Sequence, residues 1–184
     1  MDCAQVGVDM VFSIIMADIV TLDTEAIVNS AHTSLRSGSG LCGYIHAKAG
    51  PGLQEECLTQ YTGCAVGEAV LTSGHNLKAA YVIHTVGPKW LDKAPDRSRL
   101  LYNCYANSLL IAKNHGIRTI AFPSISTGIH RYPLTEAAEV AVRATQDFLT
   151  ENPCFDKIYL VCAKSEDYEA YIAAYQKAFV PSLP

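Results

Sequence analysis

The sequence predicts an α/β fold, and three features predict it. Short apolar runs alternate with longer segments of helical periodicity. Two of those runs lead through a glycine-rich loop into a helix, and no repeat, low-complexity segment or linker interrupts the alternation. Such runs read as buried strands and the segments between them as covering helices, so the expected architecture is helices packed on a largely parallel or mixed sheet.

The first strand is expected over Met10-Val11-Phe12-Ser13-Ile14-Ile15-Met16, running into Ala17-Asp18-Ile19. Asp18, just past an apolar strand, stands where open α/β sheets place ligands, although a loop aspartate also serves as a solvated or capping residue. Ala26-Ile27-Val28 gives a second short strand that stops at Asn29. A turn follows, then Ser37-Gly38-Ser39-Gly40-Leu41-Cys42-Gly43 and a helix over residues 41–49, which Pro51-Gly52 breaks and residues 53–60 resume. A strand that passes through three glycines into a helix lays backbone N–H groups open to an anion; the plainer reading is a Gly/Ser loop that only turns.

Residues 65–73 fit strand or loop equally, whereas Ala80-Tyr81-Val82-Ile83-His84-Thr85-Val86, closed by Gly87-Pro88, is a buried strand. His84, in the middle of it, reads as a satisfied core histidine rather than a catalytic one. Ser98 is expected to cap a helix carrying Leu101, Cys104, Leu109 and Ala112 on one face, ended by His115-Gly116. Residues 119–123 form the next strand, then Ser124-Ile125-Ser126-Thr127-Gly128-Ile129-His130-Arg131-Tyr132-Pro133 leads into a helix over 134–149, the second place that offers amides to an anion. Residues 157–162 form the last strand. Tyr168, Tyr171, Ile172, Tyr175 and Phe179 repeat at helical spacing and read as the core stripe of a terminal helix.

Composition narrows the function classes. With 184 residues, 49% of them hydrophobic, the chain is long enough for a real core and is expected to form one domain, 1–184. No apolar run spans a bilayer and Met1-Asp2-Cys3-Ala4 lacks the basic flank of a signal peptide, so a soluble, cytoplasmic protein without membrane contact is expected. Seven scattered cysteines without a CxxC pair point to reduced thiols in a cytosol-like compartment, and metal binding through these sulfurs is not expected. The net charge of −4, with no basic cluster interleaved with aromatics, disfavours a nucleic-acid groove but allows a small anion held by backbone amides.

Two such loops can enclose a diphosphate from both sides while Asp18 accepts from a base, which describes a nucleotide-diphosphate cleft. There is no GxxxxGK[ST] lysine, and Gly38-Ser39-Gly40-Leu41-Cys42-Gly43, although it spells GxGxxG, does not directly follow its strand. Kinase and dehydrogenase readings are therefore poor.

Together, Ala17-Asp18-Ile19, Ile27-Val28-Asn29-Ser30-Ala31, residues 38–46, 81–88 and 122–133 resemble a macrodomain of the MacroD-type and O-acetyl-ADP-ribose deacetylase branch, in the right order over nearly the whole chain. The resemblance implies a three-layer α/β/α sandwich around a six-stranded mixed sheet, with ADP-ribose, free or attached to a protein, as the partner and no cofactor or metal. It implies that Asp18 and Ile19 hold the adenine and that Asn29 lies near the distal ribose. Gly38, Gly40, Leu41, Cys42 and Gly43 would line one side of the diphosphate and ribose, and Ser126, Thr127, Gly128, Ile129 and His130 the other.

The departures from the family pattern matter as much. The second asparagine of its Asn-Ala-Ala-Asn pattern is His32, the aspartate of its Gly-Gly-Gly-Val-Asp-Gly loop is Cys42, and the aromatic after Gly-Ile is His130, with Arg131 replacing a glycine. The adenine-packing aromatic after the last strand is Ala163. A neutral thiol is a poor substitute for a carboxylate that orients or activates water. One reading is therefore an ADP-ribose-binding module with weak or absent turnover. Another is an ADP-ribosyl hydrolase or O-acetyl-ADP-ribose deacetylase with a rearranged site using His32 as base. A third is a vestigial cleft, since base–aromatic stacking is worth about 1–3 kcal/mol.

Overall fold

The computed structural model describes residues 11–91 and 96–179. Six strands, β1 (Phe12–Met16), β2 (Ala26–Ser30), β3 (Ala69–Ser73), β4 (Tyr81–Thr85), β5 (Thr119–Pro123) and β6 (Lys157–Cys162), form one sheet in the order β1-β6-β5-β2-β4-β3. All pairs are parallel except β3–β4, so the sheet is mixed. Five helices cover it: α1 (Gly40–Ala49), α2 (Pro51–Gln60), α3 (Arg97–Asn114), α4 (Leu134–Glu151) and α5 (Ser165–Phe179).

Alternation along the strands sorts the side chains between two layers. Ala26, Val28, Ile83, Phe122 and Leu160 join Leu101 and Leu109 of α3, Ala141 of α4 and Tyr171 of α5 in the larger core. Ile27, Val82, Ala121 and Val161 face the other way and pack on Ile45 and Ala49 of α1 and Leu53 of α2. The result is the expected three-layer α/β/α sandwich. Asn29 and His84, two residues beyond Ile27 and Val82, belong to the α1–α2 face and are register partners across β2 and β4.

Several boundaries differ from expectation. The start of the first strand at Met10 lies outside the described residues. β2 continues through Asn29 to Ser30, because its amides and carbonyls find a full parallel register on β4. The break between the two helices after the glycine loop falls at Gly50, whose φ of 82° only glycine adopts readily, and Pro51 opens α2 at its first turn, where its missing N–H costs nothing. Asp96, not Ser98, occupies the N-cap of α3; Ser98 is already inside the helix. Residues 69–73 of the ambiguous segment are strand, placed at the sheet edge by antiparallel pairing with β4. On α5, Tyr171 and Tyr175 are buried in the core, with Tyr168 and Ile172 packed against it. Among the described residues, no helix is long and apolar enough to cross a membrane.

Candidate functional site

The parallel strands β1, β6, β5, β2 and β4 all point their carboxyl ends to one rim, and the segments leaving them enclose a cleft there, where open α/β sheets place ligands. The cleft has two lobes. One, of about 700 Å³, lies over the ends of β2 and β4 and is walled by loop 36–42 and by Ser126, Gly128, Ile129 and His130. The other, of about 780 Å³, lies over the ends of β1 and β6 and contains Asp18, Ile19, Tyr44, Thr127 and Ala163. Leu41, Ser124 and Gly128 border both lobes and join them.

Each wall is built from local rules. Ser39 takes the N-cap position of α1 but its side chain makes no capping bond, so the first-turn amides of α1 keep their donors for something in the cleft. Gly40 sits at φ 62°, which turns the chain into the helix, and Gly43 lets the helix press against the loop: a Cβ there would stand 2.1 Å from the Gly38 carbonyl oxygen. The opposite loop is held by its own backbone. Tyr132 N–H donates to Ser126 O at 3.0 Å, Arg131 N–H to Gly128 O at 2.9 Å, and Trp90 N–H to His130 O at 2.8 Å. Ser126 has φ 68° and packs on Gly87, where a Cβ would meet its hydroxyl at 2.0 Å.

At the β1 end, Asp18 caps a short 3-10 turn, Ile19–Thr21, by accepting from Val20 N–H at 3.2 Å through Oδ1. Its Oδ2 accepts from the Tyr44 hydroxyl at 2.6 Å, and that hydrogen bond raises the tyrosine's pKa. Tyr44 was missed by sequence reasoning, since an exposed tyrosine on a helix carries no motif. Its ring puts an aromatic surface in the lobe where Ala163 provides none. Met16, Lys164 and Asp167 also line this lobe, and Arg36 and Lys89 bring positive charge to the other.

Asn29 and Gly43 line neither lobe. Asn29 is fully buried beneath the floor, where its Nδ2 donates to His84 Nδ1 at 3.1 Å and approaches Cys42 Sγ at 3.6 Å. Because that amide donates to Nδ1, His84 carries its proton on Nε2, which faces Thr72 Oγ1 at 2.9 Å. Burial, with the neighbouring His46, pushes the His84 pKa down to about 3, so it is a neutral, hydrogen-bonded core histidine. Cys42 is buried with its thiol toward Asn29 and the Arg36 carbonyl. His32 is exposed on the cleft wall; its Nδ1 accepts from Ser34 N–H at 3.2 Å and lies 2.9 Å from Ser34 Oγ. Arg131 holds φ 54° and is exposed outside both lobes.

The Macro domain family profile matches residues 28–141. The chain belongs to the macro domain family. Its macrodomain is 46% identical over 157 residues to a macro domain-containing protein of Chlorobaculum tepidum, covering 85% of this chain and 91% of that one. It is 43% identical over 161 residues to a protein of Escherichia fergusonii named O-acetyl-ADP-ribose deacetylase, covering 86% and 91%. Among solved structures, the Oceanobacillus iheyensis macrodomain with ADP superposes with a TM-score of 0.89 at 35% identity, covering 95% of each chain. A Trypanosoma brucei macrodomain in complex with ADP-ribose superposes with a TM-score of 0.82 at 37% identity, covering 89% of this chain and 70% of that one. In this macrodomain the two lobes lie at the strand ends where the sequence resemblance puts ADP-ribose.

Proposed function

We propose that this macrodomain recognises ADP-ribose, free or attached to a protein, and turns it over weakly or not at all. The observation that carries the reading is the pair of lobes joined between the uncapped amino end of α1 and loop 124–130. A diphosphate at the junction meets amides from both sides. The adenine then falls in the lobe of Asp18, Ile19 and Tyr44, and the distal ribose in the lobe of His32, Cys42 and His130. The relatives' names and the ligands of the solved neighbours support the same occupant. The whole chain is read as one such unit. Its six described cysteines, all free thiols, suit a reducing, cytoplasmic setting.

Weak turnover follows from the ribose lobe. The buried Cys42 thiol stands in the place of a carboxylate and offers no base. His32 is a poor replacement, because the Ser34 N–H aims at Nδ1 and holds the proton of the neutral ring on Nε2, leaving no bare nitrogen toward the lobe.

The competing reading, an ADP-ribosyl hydrolase or O-acetyl-ADP-ribose deacetylase, is favoured by the relatives that carry the deacetylase name. It requires His32 to reverse its tautomer, donating from Nδ1 to Ser34 Oγ, or the ligand's own phosphate to assist the attack. Calorimetric titration with ADP-ribose, followed by turnover assays on an ADP-ribosylated acidic side chain and on O-acetyl-ADP-ribose, separates the two. Tight binding with negligible turnover is expected. Brisk turnover that is lost in His32→Ala overturns the binding-module reading, and absence of binding overturns both.

A further inference from the structure

Beneath the cleft floor, between the sheet and α1–α2, three residues far apart in sequence converge: His46 of α1, Cys57 of α2 and His84 of β4. All three are buried, and one donor atom from each lies within 4.8 Å of the other two. Cys57 Sγ is 3.7 Å from His84 Nε2. Two buried groups beside them are left unexplained by the protein's own hydrogen bonds. Both ring nitrogens of His46 lack a partner, and so does the Asn29 Oδ1. Orphaned buried polar atoms are rare enough to call for a cause, and an ion is one of the few available.

We propose that His46, Cys57 and His84 form a binding site for a borderline-soft divalent cation, with zinc the best fit to two imidazoles and a thiolate. Zinc takes imidazole nitrogen at about 2.0–2.1 Å and thiolate sulfur at about 2.3 Å, which sets tetrahedral donor separations near roughly 3.3–3.6 Å. The Cys57–His84 side of the triangle, 3.7 Å, lies within about 0.1 Å of that range. The two sides that run to His46, each no longer than 4.8 Å, close by up to about 1 Å through its ring, which no hydrogen bond holds in place. Thr72 Oγ1, 2.9 Å from His84 Nε2, is placed to take the fourth position or to anchor a water there.

The same ion also changes which edge of the Asn29 amide His84 needs. Ligation through Nε2 moves the His84 proton to Nδ1, which then needs an acceptor rather than the donor it now faces. Turning the Asn29 amide over presents that acceptor, Oδ1, in exchange for Nδ2, which now faces His84 Nδ1 and Cys42 Sγ. Binding replaces the thiol proton of Cys57 with the metal and releases that proton to solvent. The Glu56 carboxylate, close enough to help burial push the Cys57 thiol up to about 11, balances the charge that one thiolate leaves on the ion. Asn29 also touches Cys42 in the ribose lobe, so the metal would set which edge of that amide faces the floor.

No spacing motif announces this site. His46 and Cys57 come from two helices broken at Gly50, and His84 comes from a strand beyond β3, 27 residues after Cys57. The test is metal uptake by the intact chain, stripped with chelator and dialysed against buffered micromolar zinc. One equivalent is expected in the wild type and in Cys104→Ser, a buried cysteine on the other face of the sheet. Less than a fifth of an equivalent is expected in Cys57→Ser and in His46→Leu. His46 has no hydrogen bond to lose, so its variant keeps the fold, which circular dichroism checks. Cobalt in place of zinc should give a thiolate-to-cobalt charge-transfer band that Cys57→Ser removes, and one proton should be released per ion at pH 7. In ¹⁵N spectra the His84 proton should move from Nε2 to Nδ1 on zinc addition. Failure of the stripped wild type to take up stoichiometric zinc, or equal uptake by His46→Leu, overturns the assignment. ADP-ribose titration of the same samples reports on the cleft separately.

Discussion

Replacing Gly43 by alanine should uncouple affinity from stability. The new Cβ would stand 2.1 Å from the Gly38 carbonyl oxygen and 3.2 Å from its carbon, where ordinary contact begins near 3.4 Å. Loop 37–40 must therefore retreat by more than about 1 Å, enough to take hydrogen bonds of about 2.9 Å to a phosphate out of range. One or two charge-assisted bonds at about 1.5–3 kcal/mol each correspond to a fall in ADP-ribose affinity of at least about 10-fold and up to roughly 10⁴-fold. Stability should change much less, because alanine gains about 1 kcal/mol inside the helix while the displaced loop costs about 1–3 kcal/mol. Calorimetry gives the first quantity and urea denaturation the second. Glu55→Ala is the control, on the exposed face of α2 and outside both lobes. Wild-type affinity in Gly43→Ala, within a factor of two, would refute the placement of the phosphates against the amino end of α1.

Other outcomes follow from the same geometry. Asp18→Ala removes the acceptor of Val20 N–H and Tyr44 and should weaken ADP-ribose by about 1.5–3 kcal/mol by calorimetry, with AMP alone binding much less well. Gly128→Glu puts a carboxylate at the junction of the lobes and should abolish binding while circular dichroism stays unchanged, since nothing crowds that position. Cys42→Asp with His32→Asn should raise turnover on an ADP-ribosylated acidic side chain or O-acetyl-ADP-ribose, by up to the roughly 10²–10⁴-fold that general-base assistance supplies, and Cys42→Asp alone should recover less. His84, held near a pKa of about 3 by burial, binds its proton more weakly folded than unfolded. Its contribution is therefore complete above the ordinary histidine range and lost as pH falls toward 3. The unfolding free energy of chelator-treated protein, from urea denaturation, should drop by about 1.4 kcal/mol per pH unit in that window, more where His46, also lowered by burial, adds its own share.

Much of the fold was legible because it rests on local signals. The runs at Tyr81–Thr85, Thr119–Pro123 and Lys157–Cys162 are apolar enough to be strands in any context, and the stripe on α5 has only one face to bury. Loops 37–43 and 124–130 read as candidate ligand walls from their glycines and from what precedes and follows them, and the structure brings residues of both to one cleft with Asp18. The extent of β2 was not legible, because the last two residues of that strand, Asn29 and Ser30, carry no strand signal and are held by pairing with β4.

What only the tertiary structure decided concerns contacts between residues distant in the chain. Tyr44 looks like any exposed helical tyrosine until α1 sets its hydroxyl against Asp18, and Arg36 and Lys89 look like scattered surface charges until their loops meet at one lobe. Asn29 is expected near the distal ribose by resemblance, and packing sets it beneath the cleft floor, where it donates to His84. His46, Cys57 and His84 share no motif and converge only because α1 and α2 lie on the face of the sheet where Asn29 and His84 are register partners. Periodicity and turn chemistry act over a few residues and can be read from one strand of text. Side-chain neighbours, tautomers and orphaned donors depend on packing across the sheet, which no local pattern encodes.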